Sequence, residues 1–105
     1  MELKGIVMDL ASVADYREGS VVSREILKGK AGSVTLFAFD AGEGLSEHTA
    51  PYDALVSVLD GEAEITIGGA PHRVGQGEAI IMPAGVPHAV KGLRRFKMLL
   101  VMIKE

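Results

Sequence analysis

The chain has 105 residues, 48% of them hydrophobic, with no cysteine, no tryptophan and a net charge of −3. That length supports one domain and leaves no room for a second core. The composition excludes disorder, disulfides, thiolate nucleophiles and thiolate metal centres, and the acidic balance provides no overall field to attract nucleic acid or an anionic membrane.

In chain order, residues 1–14 carry Glu2 and Asp9 without a sustained apolar run, so no signal peptide is expected. A turn or so of helix is expected near residues 10–16. Glycines then punctuate short runs rich in Val and Ile, which predict strands over 20–27, 33–40, 54–59, 63–67, 79–82 and 96–103. Asp60-Gly61 is read as a hairpin, and Gly68-Gly69 as a turn toward residues 72–74. Many short strands at this spacing make an all-β sandwich or barrel. The longest uncharged apolar stretch, 79–90, contains two prolines and a histidine and falls well short of the roughly 20 residues a membrane helix needs. No membrane partner and a cytoplasmic location are expected. Lys91, Arg94, Arg95 and Lys97 form the one basic cluster, read as a solvated rim, and no nucleic-acid partner is expected.

Two strands are apolar on both faces. Phe37 and Phe39 oppose Val34, Leu36 and Ala38, while Met98, Leu100 and Met102 oppose Leu99, Val101 and Ile103. A lone barrel has a wet outer surface, so this pattern calls for a second cover, and a homodimer is expected.

Gly77-Glu-Ala-Ile-Ile-Met-Pro83-Ala-Gly85-Val-Pro-His88 resembles the second motif of the cupin superfamily: a glycine, five residues, a proline, one residue, a glycine, two residues and a histidine. The asparagine often found four residues later is Gly92 here. The first cupin motif survives as a skeleton in Gly42, His48 and Gly61, with Ala50 at the second histidine position and Ala54 at the glutamate position. The resemblance implies a single-domain cupin β-barrel of the Cupin 2 kind over 1–105, a double-stranded β-helix or jelly roll with core motifs at 42–61 and 77–92. Its members include dioxygenases, isomerases, decarboxylases and binding domains, so the fold alone does not name a reaction.

Residues 48, 50 and 54 share parity, and a strand through them turns all three to one face, continued by Val56 and Val58. In cupins that face is the barrel interior. The expected ligand-binding set is His48, Ala50, Ala54, Val56, His88 and Met98. His48 and His88 are the candidate metal ligands, and no catalytic residue is assigned. A tightly held catalytic metal takes at least three protein ligands, so no tightly bound cofactor is expected, only a weakly held divalent Zn, Ni, Fe, Mn or Cu. Asp53 has the wrong parity to replace the lost carboxylate, His72 is expected at the surface, and Met98 or Met102 can offer a soft sulfur if turned inward. Metal-free sugar epimerases of the superfamily pair a histidine with a tyrosine, which directs attention to Tyr16 and Tyr52. The leading expectation is a binding protein for a small organic molecule in the barrel, with a degenerate metal site. The alternatives are a metal-dependent dioxygenase or isomerase completed by a non-standard ligand, and a structural or regulatory domain with a filled pocket.

Overall fold

A computed structural model describes residues 3–104. A single helical turn, α1 (Leu10–Val13), is capped by Asp9, whose carboxylate accepts from the Ala11 N–H. Nine strands follow among the described residues: β1 (Val21–Gly29), β2 (Gly32–Phe39), β3 (Gly44–His48), β4 (Asp53–Asp60), β5 (Glu62–Ile67), β6 (Ala70–Gly75), β7 (Ala79–Met82), β8 (His88–Gly92) and β9 (Phe96–Ile103). They form a five-stranded sheet, ordered β1-β2-β9-β4-β7, and a four-stranded sheet, ordered β3-β8-β5-β6. Every pairing is antiparallel. The two sheets face each other as a jelly roll, the expected cupin barrel. No helix among the described residues is long and apolar enough to cross a membrane.

Alternation along the strands decides what lies between the sheets. Phe39, Val56, Val58, Phe96 and Met98 point in from one sheet, and Ala63, Ile65, Val74 and Val90 from the other. Phe39 and Phe96, both fully buried, stack at 4.3 Å between centroids and 3° between planes. A smaller cluster forms on the outside of the five-stranded sheet. There Leu36 and Ala38 of β2 pack with Ala14, Leu10, Val13 and Tyr16. Part of the doubly apolar face is thus covered by the chain's own N-terminal segment.

Two expectations are corrected by the topology. Asp60-Gly61 does not close a hairpin, because β4 pairs with β7 and β9 while β5 pairs with β6 and β8. Gly61, at φ +77°, instead bends the chain from one sheet to the other. Residues 48–54 are not one strand either: β3 ends at His48 in the four-stranded sheet and β4 begins at Asp53 in the five-stranded one. Gly68-Gly69 does form the tight β5–β6 hairpin, with positive φ at both residues as a type I′ turn requires.

Candidate functional site

The two histidines arrive from the two places where the chain crosses between sheets at the same end of the barrel. One crossing, residues 49–52, joins β3 to β4; the other, residues 83–87, joins β7 to β8. The crossings are tied together. The Gly85 N–H donates to the Ala50 carbonyl at 2.8 Å, and the Ala84 N–H donates to the Asp53 carboxylate at 2.8 Å. Gly85, at φ +75°, supplies the conformation that the Pro83–Gly85 reversal needs. The motif spacing therefore holds two loops against each other. Asp53 is spent on that tie, on the exposed side, and does not reach the interior.

His48 and His88 lie directly opposite each other in the β3–β8 ladder, beside a bulge between Leu45 and His48. His88 is 4% exposed, whereas His48 is exposed at the barrel mouth. The His48 Nδ1–H donates to the Ser46 carbonyl at 2.7 Å, and the His88 Nδ1–H donates to the Val86 carbonyl at 3.2 Å. A carbonyl only accepts, so these contacts assign the proton of each neutral ring to Nδ1. Both Nε2 atoms then present lone pairs, and they converge at 3.1 Å. Two lone pairs cannot bond to each other. A cation between them, whether a second proton on one ring or a metal ion, turns that contact into an attractive one.

Behind the imidazoles is a cavity of about 40 Å³, lined by Leu45, His48, Ala50, Ala54, Met82, His88, Val90, Met98, Leu100 and Met102. Of the expected ligand-binding set, His48, Ala50, Ala54, His88 and Met98 line it. Val56 faces the same interior but is fully buried in the core and is not among the lining residues. Met82 went unrecognised as a lining residue, although the second motif places it immediately before Pro83. The two alanines leave the space that larger side chains would occupy. The space is small because Met82, Met98 and Met102 fill much of the interior around it.

Other residues singled out in the sequence lie elsewhere. His72 is exposed on β6. Tyr52 lines a surface recess with Pro51, Asp53, Ala84 and Ile103, under the Lys104 ammonium at 5.7 Å. The Tyr16 hydroxyl donates to Asp60, packed with the outer cluster. Neither tyrosine lines the histidine cavity, so the histidine–tyrosine pair of an epimerase is not assembled. The basic cluster is dispersed: Arg95 pairs with Asp40 at 2.8 Å, Arg94 approaches Glu62 at 4.0 Å, and the Lys97 ammonium donates to the Ala11 carbonyl at 2.5 Å.

The model of the family described as "Cupin domain" (Cupin_2) matches residues 35–103. The chain belongs to this family. Its structure is similar to that of the conserved SPY1581 protein of unknown function from Streptococcus pyogenes (TM-score 0.92, 38% identity, covering 96% of this chain and 89% of that one). It is also similar to a Cupin 2 conserved barrel domain protein from Leptotrichia buccalis (TM-score 0.90, 43% identity), covering 92% of this chain but 47% of that one. A cupin superfamily protein from Desulfitobacterium hafniense matches at 33% identity and TM-score 0.89, over 93% of this chain and 90% of that one. Among curated sequences, an uncharacterized protein of Streptomyces coelicolor is 36% identical over 64 residues, spanning 61% of each chain.

The ligand set that the cupin motifs supply, three histidines and a glutamate, does not fit this barrel. Ala50 and Ala54 stand at two of the four positions, and no three His, Cys, Asp or Glu side chains cluster as metal ligands among the described residues. What the cavity holds instead is two imidazoles and three thioethers in an aliphatic wall.

Proposed function

We propose that this cupin is a binding protein that takes a compact ligand into the mouth of its barrel. The ligand's polar end meets the paired Nε2 atoms of His48 and His88, and its remaining atoms lie against Ala50 and Ala54. The observation that carries this reading is the convergence of two oriented imidazoles, 3.1 Å apart, over an otherwise apolar cavity. The cavity's size limits the occupant. At about 40 Å³ it is far below the roughly 300–1,000 Å³ of clefts for drug-sized ligands, so the occupant has a handful of heavy atoms or is an ion. The competing reading, a metal-dependent oxygenase or isomerase, needs a third nitrogen or oxygen ligand that the cavity wall does not supply. We further propose that the barrel works as a homodimer, whose partner covers the outer apolar face that the N-terminal segment leaves bare.

The test is a thermal-shift screen of chelator-treated protein against formate, acetate, glycolate, pyruvate and simple inorganic ions. The expected result is a rise in melting temperature with one of these classes, absent from His48→Ala and His88→Ala. A ligand at 100 times its Kd stabilises the folded state by about 2.7 kcal/mol, which is readily measured. If no compact ligand or ion stabilises the protein, the cavity is a packed interior and this reading fails.

A further inference from the structure

The lost carboxylate position has a particular set of neighbours. Ala54 of β4 is paired in register with Met82 of β7 on one side and with Met102 of β9 on the other. Residues directly opposite on one face of an antiparallel ladder stand with Cβ atoms roughly 4.5–5.5 Å apart. Two thioether side chains therefore flank the alanine, and both line the cavity that the Nε2 atoms face. Met98, fully buried, lines it too.

We propose that this cavity is a site for a soft monovalent metal ion, Cu(I), held by the Nε2 atoms of His48 and His88 and the thioether sulfurs of Met82 and Met102. The inference rests on reading the cavity as a binding site, and it names the class of occupant. Five features argue for it. No carboxylate lines the cavity, which removes the oxygen ligands that hard cations require, whereas thioether and imidazole together select Cu(I). Each Nδ1–H is held by a backbone carbonyl, the arrangement that fixes a metal-ligating imidazole with its other nitrogen forward. The 3.1 Å between Nε2 atoms is close to the roughly 3.3 Å separating two tetrahedral ligands with imidazole–metal bonds of about 2.0–2.1 Å. A single charge also costs less to carry into an aliphatic wall than a double one. The volume of about 40 Å³ admits an ion.

Methionine also fills irregular cores without any metal, and the experiment separates the two roles. Reduced, metal-free protein is titrated anaerobically with Cu(I) against a chromophoric Cu(I) chelator, with Zn(II) titrated in parallel. X-ray absorption is recorded on the loaded sample. The expected result is one Cu(I) per chain with both sulfur and nitrogen scatterers, and Zn(II) held more weakly. Met82→Leu/Met102→Leu keeps the side-chain volume nearly constant and is expected to lower Cu(I) affinity at least tenfold, with circular dichroism unchanged. His88→Ala is expected to abolish binding, and Met8→Leu to leave it unaltered. If the double variant does not fold, the sulfur scattering of the wild type and the single Met102→Leu variant decide. Failure to compete with the chelator, wild-type affinity in the methionine variants, or a loaded spectrum without sulfur overturns the proposal. If Cu(I) fails while a compact organic ligand still raises the melting temperature through His48 and His88, the copper inference falls and the binding reading stands. If neither binds, both fall.

Discussion

Gly61 occupies the bend between the sheets at φ +77°, and a Cβ there would fall on the Arg95 carbonyl. Gly61→Ala therefore adds a steric clash to a left-handed conformation that costs a non-glycine residue about 1–3 kcal/mol. The expected outcome is a loss of about 2 kcal/mol or more in urea unfolding. A stability equal to wild type would mean that the bend can be made another way. Asp40 works at a neighbouring position by electrostatics. The Arg95 guanidinium, and then the Gly19 and Ala41 N–H groups, hold its carboxyl down at about 2, below the usual carboxylate value near 3.9. The folded state thus favours the ionised form. The contribution is complete above about pH 4 and is lost as pH falls toward 2. Asp40→Asn is expected to flatten the acid limb of a melting-temperature profile in that window while leaving the alkaline limb unchanged. The same distinction between local and distributed causes governs what was legible at the site. His48 and His88 were readable because two motifs fix their spacing along the chain. The methionine flanks of Ala54 were not, because their placement depends on the register of three strands, β7, β4 and β9, that are distant in sequence.

The N-terminal segment that holds α1 packs on the five-stranded sheet through the outer apolar cluster and hydrogen bonds from Arg24 and Lys97, and Tyr16 adds contacts of its own. Its hydroxyl donates to Asp60 at 2.5 Å, and its ring lies under the Arg95 guanidinium and the Lys97 ammonium at 5.3 and 4.8 Å. Burial, and then the Asp60 hydrogen bond and charge, push the phenol well above its usual value near 10. A raised folded-state value favours the neutral phenol, so this contribution is complete below about pH 10 and is lost as pH climbs beyond it. Tyr16→Phe keeps the ring and removes the donor, leaving Asp60 without it. The expected cost is about 1–2 kcal/mol, with faster proteolysis of residues 10–16 and no added loss of stability above pH 10. Unchanged proteolysis would mean that the Leu10, Val13 and Ala14 packing and the Lys97 and Arg24 hydrogen bonds hold the segment without the Tyr16 hydroxyl. At this scale the strands were legible from alternation and glycine punctuation, and their sheet membership was not. Asp60-Gly61 has the composition of a hairpin turn, yet Gly61 sends the chain to the other sheet. Residues 48, 50 and 54 do converge on one cavity. They converge because the chain crosses between sheets at 49–52, and parity along one strand is not the cause.

The jelly roll as a whole followed from many short strands and two spaced motifs, but its outer surface depends on which residues become neighbours across the sheet. Pairing in register aligns Leu27 with Val34, Val34 with Val101, Val101 with Leu55 and Leu55 with Ile81. These residues form an aliphatic row across all five strands, about 20 Å long at the usual strand spacing. Leu27, Leu55 and Ile81 are 51%, 38% and 61% exposed, and Ile103 beside the row is 53% exposed. A shallow recess of about 640 Å³, lined partly by Leu27, Val34, Val101 and Ile103, continues the row toward the β1–β2 hairpin. The N-terminal segment covers the neighbouring Leu36 and Ala38 but not this stretch. A row that crosses a whole sheet can pack on the same row of a second copy about a two-fold axis, because each aliphatic side chain then finds an aliphatic partner. Light scattering coupled to size exclusion is expected to give a dimer at micromolar concentration. Leu55→Glu/Ile81→Glu, which adds charge on the outer face away from the histidine cavity, is expected to give a folded monomer that still binds a compact ligand or ion. A wild-type monomer at high concentration would sink the dimer. A monomeric variant that has lost cavity binding would instead couple assembly to the site, through the strands β4, β7 and β9 that carry the row on one face and Ala54, Met82 and Met102 on the other.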